Sequence, residues 1–113
     1  MRVYLAEKIT GDDRYLQKFS VAEAELEAAG HEVVNPAMLS GVMPEGTKWG
    51  EYMEIGLTIL MDYVDALVLL PDWRESQGAC MEYGCAIGRE LAVFEFSPEM
   101  DDRIKGIHLT EKG

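Results

Sequence analysis

The chain has 113 residues and a mass of 12.6 kDa, which is the size of a single domain. Ten basic residues against 21 acidic ones give a net charge of −11, and 48% of the residues are hydrophobic, as in globular folds. This charge disfavours binding to the phosphate backbone of a nucleic acid or to an anionic membrane surface. No apolar stretch is long enough to cross a bilayer or to form a secretion signal. We therefore predict a cytoplasmic protein that binds neither nucleic acid nor membrane.

The first third of the chain predicts a strand, a helix and a second strand. Residues 2–6 contain a continuous apolar run, which is typical of a strand covered on both faces. Residues 14–29 predict a helix, since its apolar side chains are spaced four, three and four residues apart: Tyr15, Phe19, Ala22 and Leu26. Gly30 is expected to end this helix, and residues 31–34 predict the second strand.

The middle of the chain predicts a long loop and a second helix. The Asn-Pro pair at 35–36 breaks regular structure, and a loop is expected over residues 37–46. Thr47 is predicted to cap a helix that extends to residue 62. Four large side chains of this segment are expected to face inward: Tyr52, Ile55, Ile59 and Tyr63.

The last third of the chain predicts two more strands around a third helix. Residues 65–70 form the strongest strand candidate in the sequence. Ser76 is predicted to cap a helix over 77–90, and residues 91–96 predict the fourth strand. The tail, 97–113, predicts either a helical turn or a short fifth strand at the sheet edge.

Strands and helices alternate throughout, which indicates parallel strands joined by right-handed crossovers. We predict one α/β domain over residues 1–113, with an open, flavodoxin- or Rossmann-like sheet of order 2-1-3-4 in an α/β/α sandwich. Strand order then reverses between the first and third strands. The loops at 6–13 and 71–78 follow these strands, and ligands of such sheets bind at that point.

The loop after the third strand places small residues at a helix start. Ser76, Gly78 and Ala79 stand where free backbone N–H groups suit an anion or sugar oxygens, and where a ligand can approach the backbone closely. An ordinary capped helix with a glycine near its start explains the same residues.

Glu82 stands out in the helix that follows. Its neighbours three and four residues away include Ala79, Cys85 and Ala86, an apolar setting for a carboxylate. A carboxylate there, facing the ligand crevice, can act as a nucleophile or a general base. The alternative is a glutamate at the helix edge that reaches water.

Four further residues have a functional and a structural interpretation. Asp72 at the end of the third strand is either an acid–base residue or a turn former. Tyr4 is either part of the core or a hydroxyl that reaches the site. Trp49 and Trp73 either stack on a base or anchor their loops.

The residues that commonly bind metals are sparse. The two cysteines, Cys80 and Cys85, lie five residues apart on a predicted helix, too far round it to pair. His31 and His108 stand alone. We therefore predict free thiols, no metal site and no cofactor.

The motifs together resemble the nucleoside 2-deoxyribosyltransferase-like superfamily, and within it a branch of short proteins common in bacteriophages. They are V-Y-L-A-x-K-I-T-G at 3–11, V-x-N-P at 33–36, W-x-x-Y-M at 49–53, D-A at 65–66, and D-W-x-x-S-x-G-A-x-x-E at 72–82. The resemblance covers about residues 2–95 in colinear order. The last motif is the most specific.

The resemblance implies chemistry at the glycosidic bond of a nucleoside. Glu82 would attack the anomeric carbon as nucleophile, as in retaining glycosidases, with Asp72 as acid near the leaving base. Tyr4 would orient Glu82. Ser76 and Gly78 would bind sugar hydroxyls or a 5′-phosphate. The other residues assigned to substrate binding are Ala6, Lys8, Trp73 and Ala79.

The sequence departs from the superfamily at Glu7, where glycine is usual. Glycine allows close approach of a phosphate, whereas Glu7 adds bulk and negative charge unless Lys8 or Arg74 compensates. The expected ligand is thus a nucleoside or a nucleoside 5′-monophosphate, cleaved or transferred at its N-glycosidic bond. The alternative is a non-catalytic nucleotide-binding or protein-interaction module. A homo-oligomer is expected, since the face at 52–63 is rich in Met and Tyr.

Overall fold

A computed structural model describes residues 1–9, 11, 13–98 and 107–111. It contains a five-stranded sheet of order β2-β1-β3-β4-β5. The strands are β1 (Arg2–Ala6), β2 (Glu32–Val34), β3 (Ala66–Leu69), β4 (Ala92–Pro98) and β5 (Ile107–Glu111). The first four strands are parallel, which confirms the order 2-1-3-4 predicted from the sequence. The described part of the tail forms β5, an edge strand antiparallel to β4; residues 99–106 and 112–113 lie outside the described residues.

Helices cover both faces of this sheet. The α-helices are α1 (Tyr15–Ala28), α2 (Trp49–Asp62) and α3 (Gln77–Gly88), and two short 3-10 helices span Pro36–Gly41 and Trp73–Glu75. Buried residues of α1 join one core cluster, and those of α2 and α3 join the other. The fold is therefore a three-layer, Rossmann-like α/β/α sandwich. No helix in the described ranges is both long and apolar enough to span a bilayer.

The alternation of side chains along β1 explains the two core clusters. Val3 and Leu5 pack with α1, whereas Tyr4 and Ala6 point to the opposite face, toward α2 and α3. All four side chains are at most 1% exposed. The continuous apolar run in the sequence thus corresponds to a strand that is buried on both faces. The predicted stripe of α1 is also confirmed, with Phe19, Ala22 and Leu26 buried and Tyr15 partly buried.

The start of α2 differs from the prediction. The residue that caps this helix is Lys48, whose backbone N–H donates to Oε1 of Glu51 at 3.2 Å. The hydroxyl of Thr47 donates to the carbonyl of Pro44 at 2.6 Å, and it is therefore engaged in the preceding turn instead of capping the helix. The 3-10 helix Pro36–Gly41 occupies the first half of the predicted loop at 37–46, and the Asn35 side chain caps it by accepting the N–H of Ala37 at 3.0 Å.

The buried face of α2 is centred on different residues from those expected. Gly56 and Leu60 are its buried residues, while Tyr52, Ile55 and Ile59 are half-buried. The prediction for Tyr63 is wrong, since its side chain is 60% exposed. Tyr63 follows the last turn of α2, where the chain leaves the helix, and so it no longer shares the buried face.

The C-terminal ends of α1 and α3 have the same backbone geometry, in which a residue with a left-handed φ follows the helix. The N–H of His31 reaches the carbonyl of Leu26 at 3.0 Å, and Gly30 adopts a left-handed φ of +95° between them. In α3, the N–H of Leu91 reaches the carbonyl of Ala86 at 2.9 Å. Glu90 takes the left-handed position there with a φ of +62°, so α3 ends two residues earlier than predicted. The predicted cap at the start of α3 is confirmed, since the Ser76 hydroxyl accepts the N–H of Ala79 at 3.0 Å.

Candidate active site

A cavity of about 330 Å³ opens at the carboxyl ends of the central strands. The strands β1 and β3 run in register there, with Ala6 opposite Leu69, so the loops that follow them start side by side. Side chains from β1, α1, α2, α3 and the first 3-10 helix line the cavity. It lies where the strand order reverses, which is the position that the sequence predicts for a ligand.

A tyrosine and a glutamate form a hydrogen-bonded pair in this cavity. The Tyr4 hydroxyl donates to Oε2 of Glu82. Tyr4 is 1% exposed and Glu82 is 7% exposed, yet both side chains contribute to the cavity wall. A buried hydrogen bond therefore joins the middle of β1 to the second turn of α3.

Burial determines the protonation of this pair. Removal from water raises the pKa of Glu82 to about 7, and the hydrogen bond from Tyr4 opposes this shift. Burial, and then the adjacent Glu82 charge, also raises the pKa of Tyr4, so its hydroxyl keeps its proton. At neutral pH the site thus contains a carboxyl group that readily exchanges a proton and a phenol that only donates.

Gly56 makes room for the pair, a role that the sequence analysis did not identify. A Cβ atom built on Gly56 would collide with the Tyr4 hydroxyl and lie 3.1 Å from Oε2 of Glu82. Because Gly56 is inside α2, the absence of a side chain lets the helix backbone lie close to the Tyr4 hydroxyl and the Glu82 carboxylate. In sequence the residue resembles any glycine that weakens a helix. The signal in the sequence that could have indicated the close approach of α2 to another element is a glycine on the predicted buried face of that helix.

The remaining walls are mainly apolar and aromatic. They include Tyr15 and Phe19 from α1, Leu39 from the 3-10 helix, and Trp49, Tyr52 and Met53 from α2. Of the two tryptophans considered as stacking walls, Trp49 lines the cavity and is 50% exposed. Such a lining suits a flat ring system, and the polar groups at one end would orient it. The helical spacing of Tyr15 and Tyr52 predicts only that these side chains face inward. It does not distinguish a position in the cavity wall from one in the packed core.

The start of α3 forms another part of the lining. Ser76, Gly78 and Ala79 all border the cavity, as the sequence predicts. The hydroxyl of Ser76 caps the helix through the N–H of Ala79. A Cβ atom on Gly78 would lie 3.1 Å from Sδ of Met53, so the missing side chain widens the space between α2 and α3.

Glu7 is the second carboxylate in the lining. It is 4% exposed, and its Oε1 accepts the backbone N–H of Lys8 at 3.1 Å. Glu7 and Glu82 are the buried charged residues among those that the structure describes. The cavity is therefore acidic.

Asp72 does not join this cavity. It adopts a left-handed φ of +70°, and its carboxylate lies 3.7 Å from Nζ of Lys18 on α1. There it lines a separate pocket, on the α1 side of the sheet, with Arg14 and Pro71. Glu7 borders both spaces.

Three further residues assigned to substrate binding also lie outside the lining. Ala6 is buried within β1. Nζ of Lys8 lies 3.4 Å from Oε1 of Glu75. The Trp73 ring packs against Tyr83, with 5.0 Å between centroids, and its Nε1 donates to Glu95 at 3.4 Å. Trp73 therefore anchors its loop.

No group of His, Cys, Asp and Glu side chains within the described ranges is arranged to hold a metal ion. Cys80 and Cys85 are free thiols, as the sequence predicts. The functional groups that line the cavity include the carboxyl group of Glu82 and the hydroxyl groups of Tyr4 and Ser76.

Fold and site together define a Rossmann-like α/β domain with a ligand cavity built around a buried carboxyl–phenol pair. Residues 1–95 match a family described as a domain of unknown function, DUF4406, and the chain belongs to that family. The match includes the described lining residues of the cavity. No curated protein matches the chain.

Proposed function

We propose that the protein cleaves or transfers the N-glycosidic bond of a nucleoside or a nucleoside 5′-monophosphate. The observation that carries this proposal is the Glu82 carboxyl group, held by Tyr4 in an aromatic-walled cavity. The resemblance to the nucleoside 2-deoxyribosyltransferase-like superfamily supports the same chemistry, since its signature contains Ser76, Gly78, Ala79 and Glu82, which all border this cavity.

The proposed reaction has two steps. Ionised Glu82 attacks C1′ of the sugar, the bond from C1′ to the base nitrogen breaks, and the base leaves with the electron pair and takes up a proton from water. A covalent glycosyl ester of Glu82 results. Water or a second base then attacks C1′, the ester bond breaks, the carboxylate is restored, and one proton returns to solvent. Water as acceptor gives hydrolysis, and a base as acceptor gives transfer.

The surrounding residues have separate parts in this proposal. The Tyr4 hydroxyl positions Glu82 and stabilises its ionised form through the hydrogen bond. Trp49 and Tyr52 stack on the base. The start of α3 at Gly78 lets the sugar approach the backbone. Asp72 lies in the neighbouring pocket, so the proposal assigns it no contact with the leaving base.

The test is release of free base by the purified chain. Wild type is incubated with ribonucleosides, 2′-deoxynucleosides and their 5′-monophosphates, with and without an acceptor base, and the products are separated chromatographically. Glu82→Gln should abolish release, whereas Glu54→Gln removes an equal charge from an exposed position and should retain it. Absence of release from every substrate by folded wild type would overturn the proposal, as would full activity of Glu82→Gln.

A second candidate is a non-catalytic nucleotide-binding module that uses the same cavity. The pKa of Glu82, about 7, supports this candidate, because about half of the Glu82 carboxyl groups are then protonated at neutral pH. A protonated carboxyl group can donate a hydrogen bond to a ligand. This candidate predicts binding without turnover, and binding that survives Glu82→Gln. Calorimetry alongside the release assay separates the two functions.

We further propose a cytoplasmic homo-oligomer. The free thiols of Cys80 and Cys85 are consistent with a reducing compartment. Met61 and Tyr63 at the end of α2 are 51% and 60% exposed, and a second copy could cover them. Sedimentation of the purified chain tests the assembly, and a monomer at all concentrations would contradict it.

A further inference from the structure

The exposed face of α3 contains no charged side chain. Within this helix Glu82 is the one acidic or basic residue, and it is 7% exposed and lines the cavity. The exposed residues recur every three to four positions and therefore share one face, called the α3 face below: Gln77, Cys80, Met81, Gly84, Ile87 and Gly88. Its two large apolar side chains, Met81 and Ile87, are 47% and 44% exposed.

The other two α-helices present acidic side chains to solvent. The exposed acidic residues of α1 and α2 are Glu27, Glu51, Glu54 and Asp62. Charged and polar residues usually cover the outer side of a surface helix, and the chain as a whole has a net charge of −11. The α3 face differs from that pattern, and its composition is typical of a surface that a partner removes from water.

Apolar side chains at the end of α2 lie beside the end of α3. Nε of Arg89, the residue that follows α3, donates to the carbonyl oxygen of Met61 at 2.7 Å, so the two helix ends are adjacent. Met61 and Tyr63 are 51% and 60% exposed. The residues that a second copy was proposed to cover therefore adjoin the α3 face.

Charge determines which partner fits this surface. A strongly basic partner binds where acidic side chains are exposed, and the α3 face presents none. An anionic membrane repels a chain with a net charge of −11. Two copies of the chain also repel each other, and they do so least where the surface in contact has no charge. In a two-fold contact the same patch is used by both copies, so an uncharged patch avoids pairs of like charges.

We propose that the α3 face is a self-association surface, through which two copies of the chain pair about a two-fold axis. The inference rests on the homo-oligomer proposed above, for which it names the interface, and it is independent of the proposed reaction. Gly78, Ala79 and Glu82 on the other side of α3 line the cavity. The interface therefore supports the helix that holds the proposed nucleophile.

The test is sedimentation of the purified chain over a range of concentrations. Met81→Glu combined with Ile87→Glu places two charges on the α3 face and should raise the Kd of self-association at least about hundredfold, or about tenfold for each substitution. Leu16→Glu combined with Val21→Glu is the matched control, because these residues of α1 are 49% and 46% exposed and the change of charge is equal. The control should keep the Kd within about threefold of the wild-type value.

Circular dichroism checks that each variant is folded. If the double variant on α3 does not fold, Ile87→Glu is compared with Val21→Glu, and a difference in Kd of about tenfold is expected. Equal effects of the substitutions on α3 and on α1, or no effect of either, would overturn the α3 face as the interface and leave the oligomer standing. A wild type that sediments as a monomer at every concentration would overturn both. Base release is measured separately, so its absence concerns the proposed reaction and not this interface.

Discussion

The Tyr4 hydroxyl donates a hydrogen bond to the Glu82 carboxylate across 78 positions of the sequence. Tyr4 lies on β1, which is an inner strand of the sheet, and Glu82 lies in the second turn of α3. The contact therefore fixes α3 relative to the sheet and holds the carboxyl group in the cavity. Because burial raises the pKa of Glu82 to about 7, we expect the stability of the protein and its proposed activity to depend on pH.

Glu82→Gln should stabilise the protein at alkaline pH. Burial raises the pKa of Glu82 from 4.5 to about 7, so the folded state binds its proton more tightly than the unfolded state does. The contribution of this group to stability is therefore complete below about pH 4.5 and is lost as the pH rises through about 7. The difference corresponds to roughly 3 kcal/mol, which Gln does not lose because it carries no charge.

Chemical denaturation at about pH 8 and about pH 4.5 checks this prediction. The variant should be the more stable protein only at the higher pH. Glu54→Gln removes an exposed carboxylate and serves as the control. Parallel stability curves for wild type and Glu82→Gln would contradict the buried, high-pKa carboxyl group.

Activity should rise with pH and reach half its maximum near pH 7. The proposed nucleophile is the carboxylate, and the pKa of Glu82 is about 7. Tyr4→Phe removes the hydrogen bond that lowers this pKa, so the rising limb should move to higher pH and the rate at neutral pH should fall about tenfold.

The measurement is kcat/KM for base release as a function of pH. Tyr63→Phe removes the hydroxyl of an exposed tyrosine and should keep the wild-type profile. A Tyr4→Phe profile that keeps its midpoint near neutrality would mean that the Tyr4 hydroxyl does not stabilise ionised Glu82.

Gly56→Ala should damage the site although alanine favours helices. The added methyl group would collide with the Tyr4 hydroxyl and crowd Glu82, so we expect loss of activity and lower stability. Gly84→Ala is the matched control, because Gly84 is inside α3 and a Cβ atom built on it would meet no neighbouring element within 4 Å among the described residues. It should stabilise the protein by about 0.5–1 kcal/mol. Similar effects of both substitutions on thermal unfolding would show that Gly56 has no special packing role.

Glu90→Gly should stabilise the end of α3. Glu90 has a φ of +62°, a conformation that costs a side-chain-bearing residue about 1 kcal/mol and costs glycine little. The N–H of Leu91 can keep its bond to Ala86 because only the side chain changes. Gly30→Ala at the equivalent end of α1 should have the opposite sign, since Gly30 has a φ of +95°. Denaturant titration of both variants measures the pair of effects.

Much of the fold could be predicted because each element carries its own pattern. The buried run of β1, the stripe of α1 and the cap at Ser76 are local features, and the structure confirms each of them. Alternation of strands and helices then leaves few chain paths, and the parallel order 2-1-3-4 follows. The misplaced cap at Thr47 and the exposed Tyr63 both lie at the ends of α2, where periodicity no longer constrains the chain.

The candidate site could be predicted only in part. The apolar helix neighbours of Glu82 already set its carboxylate apart from a surface glutamate, and the structure places it in the cavity. Asp72 follows the correct strand, but its left-handed backbone and its contact with Lys18 put it in another pocket. The sequence offers no distance between α2 and Tyr4, so the role of Gly56 could not be found there.

The sequence by itself determined where the four parallel strands and the three α-helices lie, that β1 is buried on both faces, which face of α1 is buried, and which end of the sheet carries the polar loops. These properties depend on residues only a few positions apart in the sequence. At that range the periodicity of a helix or strand fixes the direction in which each side chain points. Tertiary structure alone decided that Tyr4 meets Glu82, that Glu7 turns into the same cavity, and that Asp72 does not. These relationships depend on how closely the helices pack against the sheet. Side-chain volume controls that packing, and the absence of a side chain at Gly56 allows α2 to approach Tyr4 and Glu82.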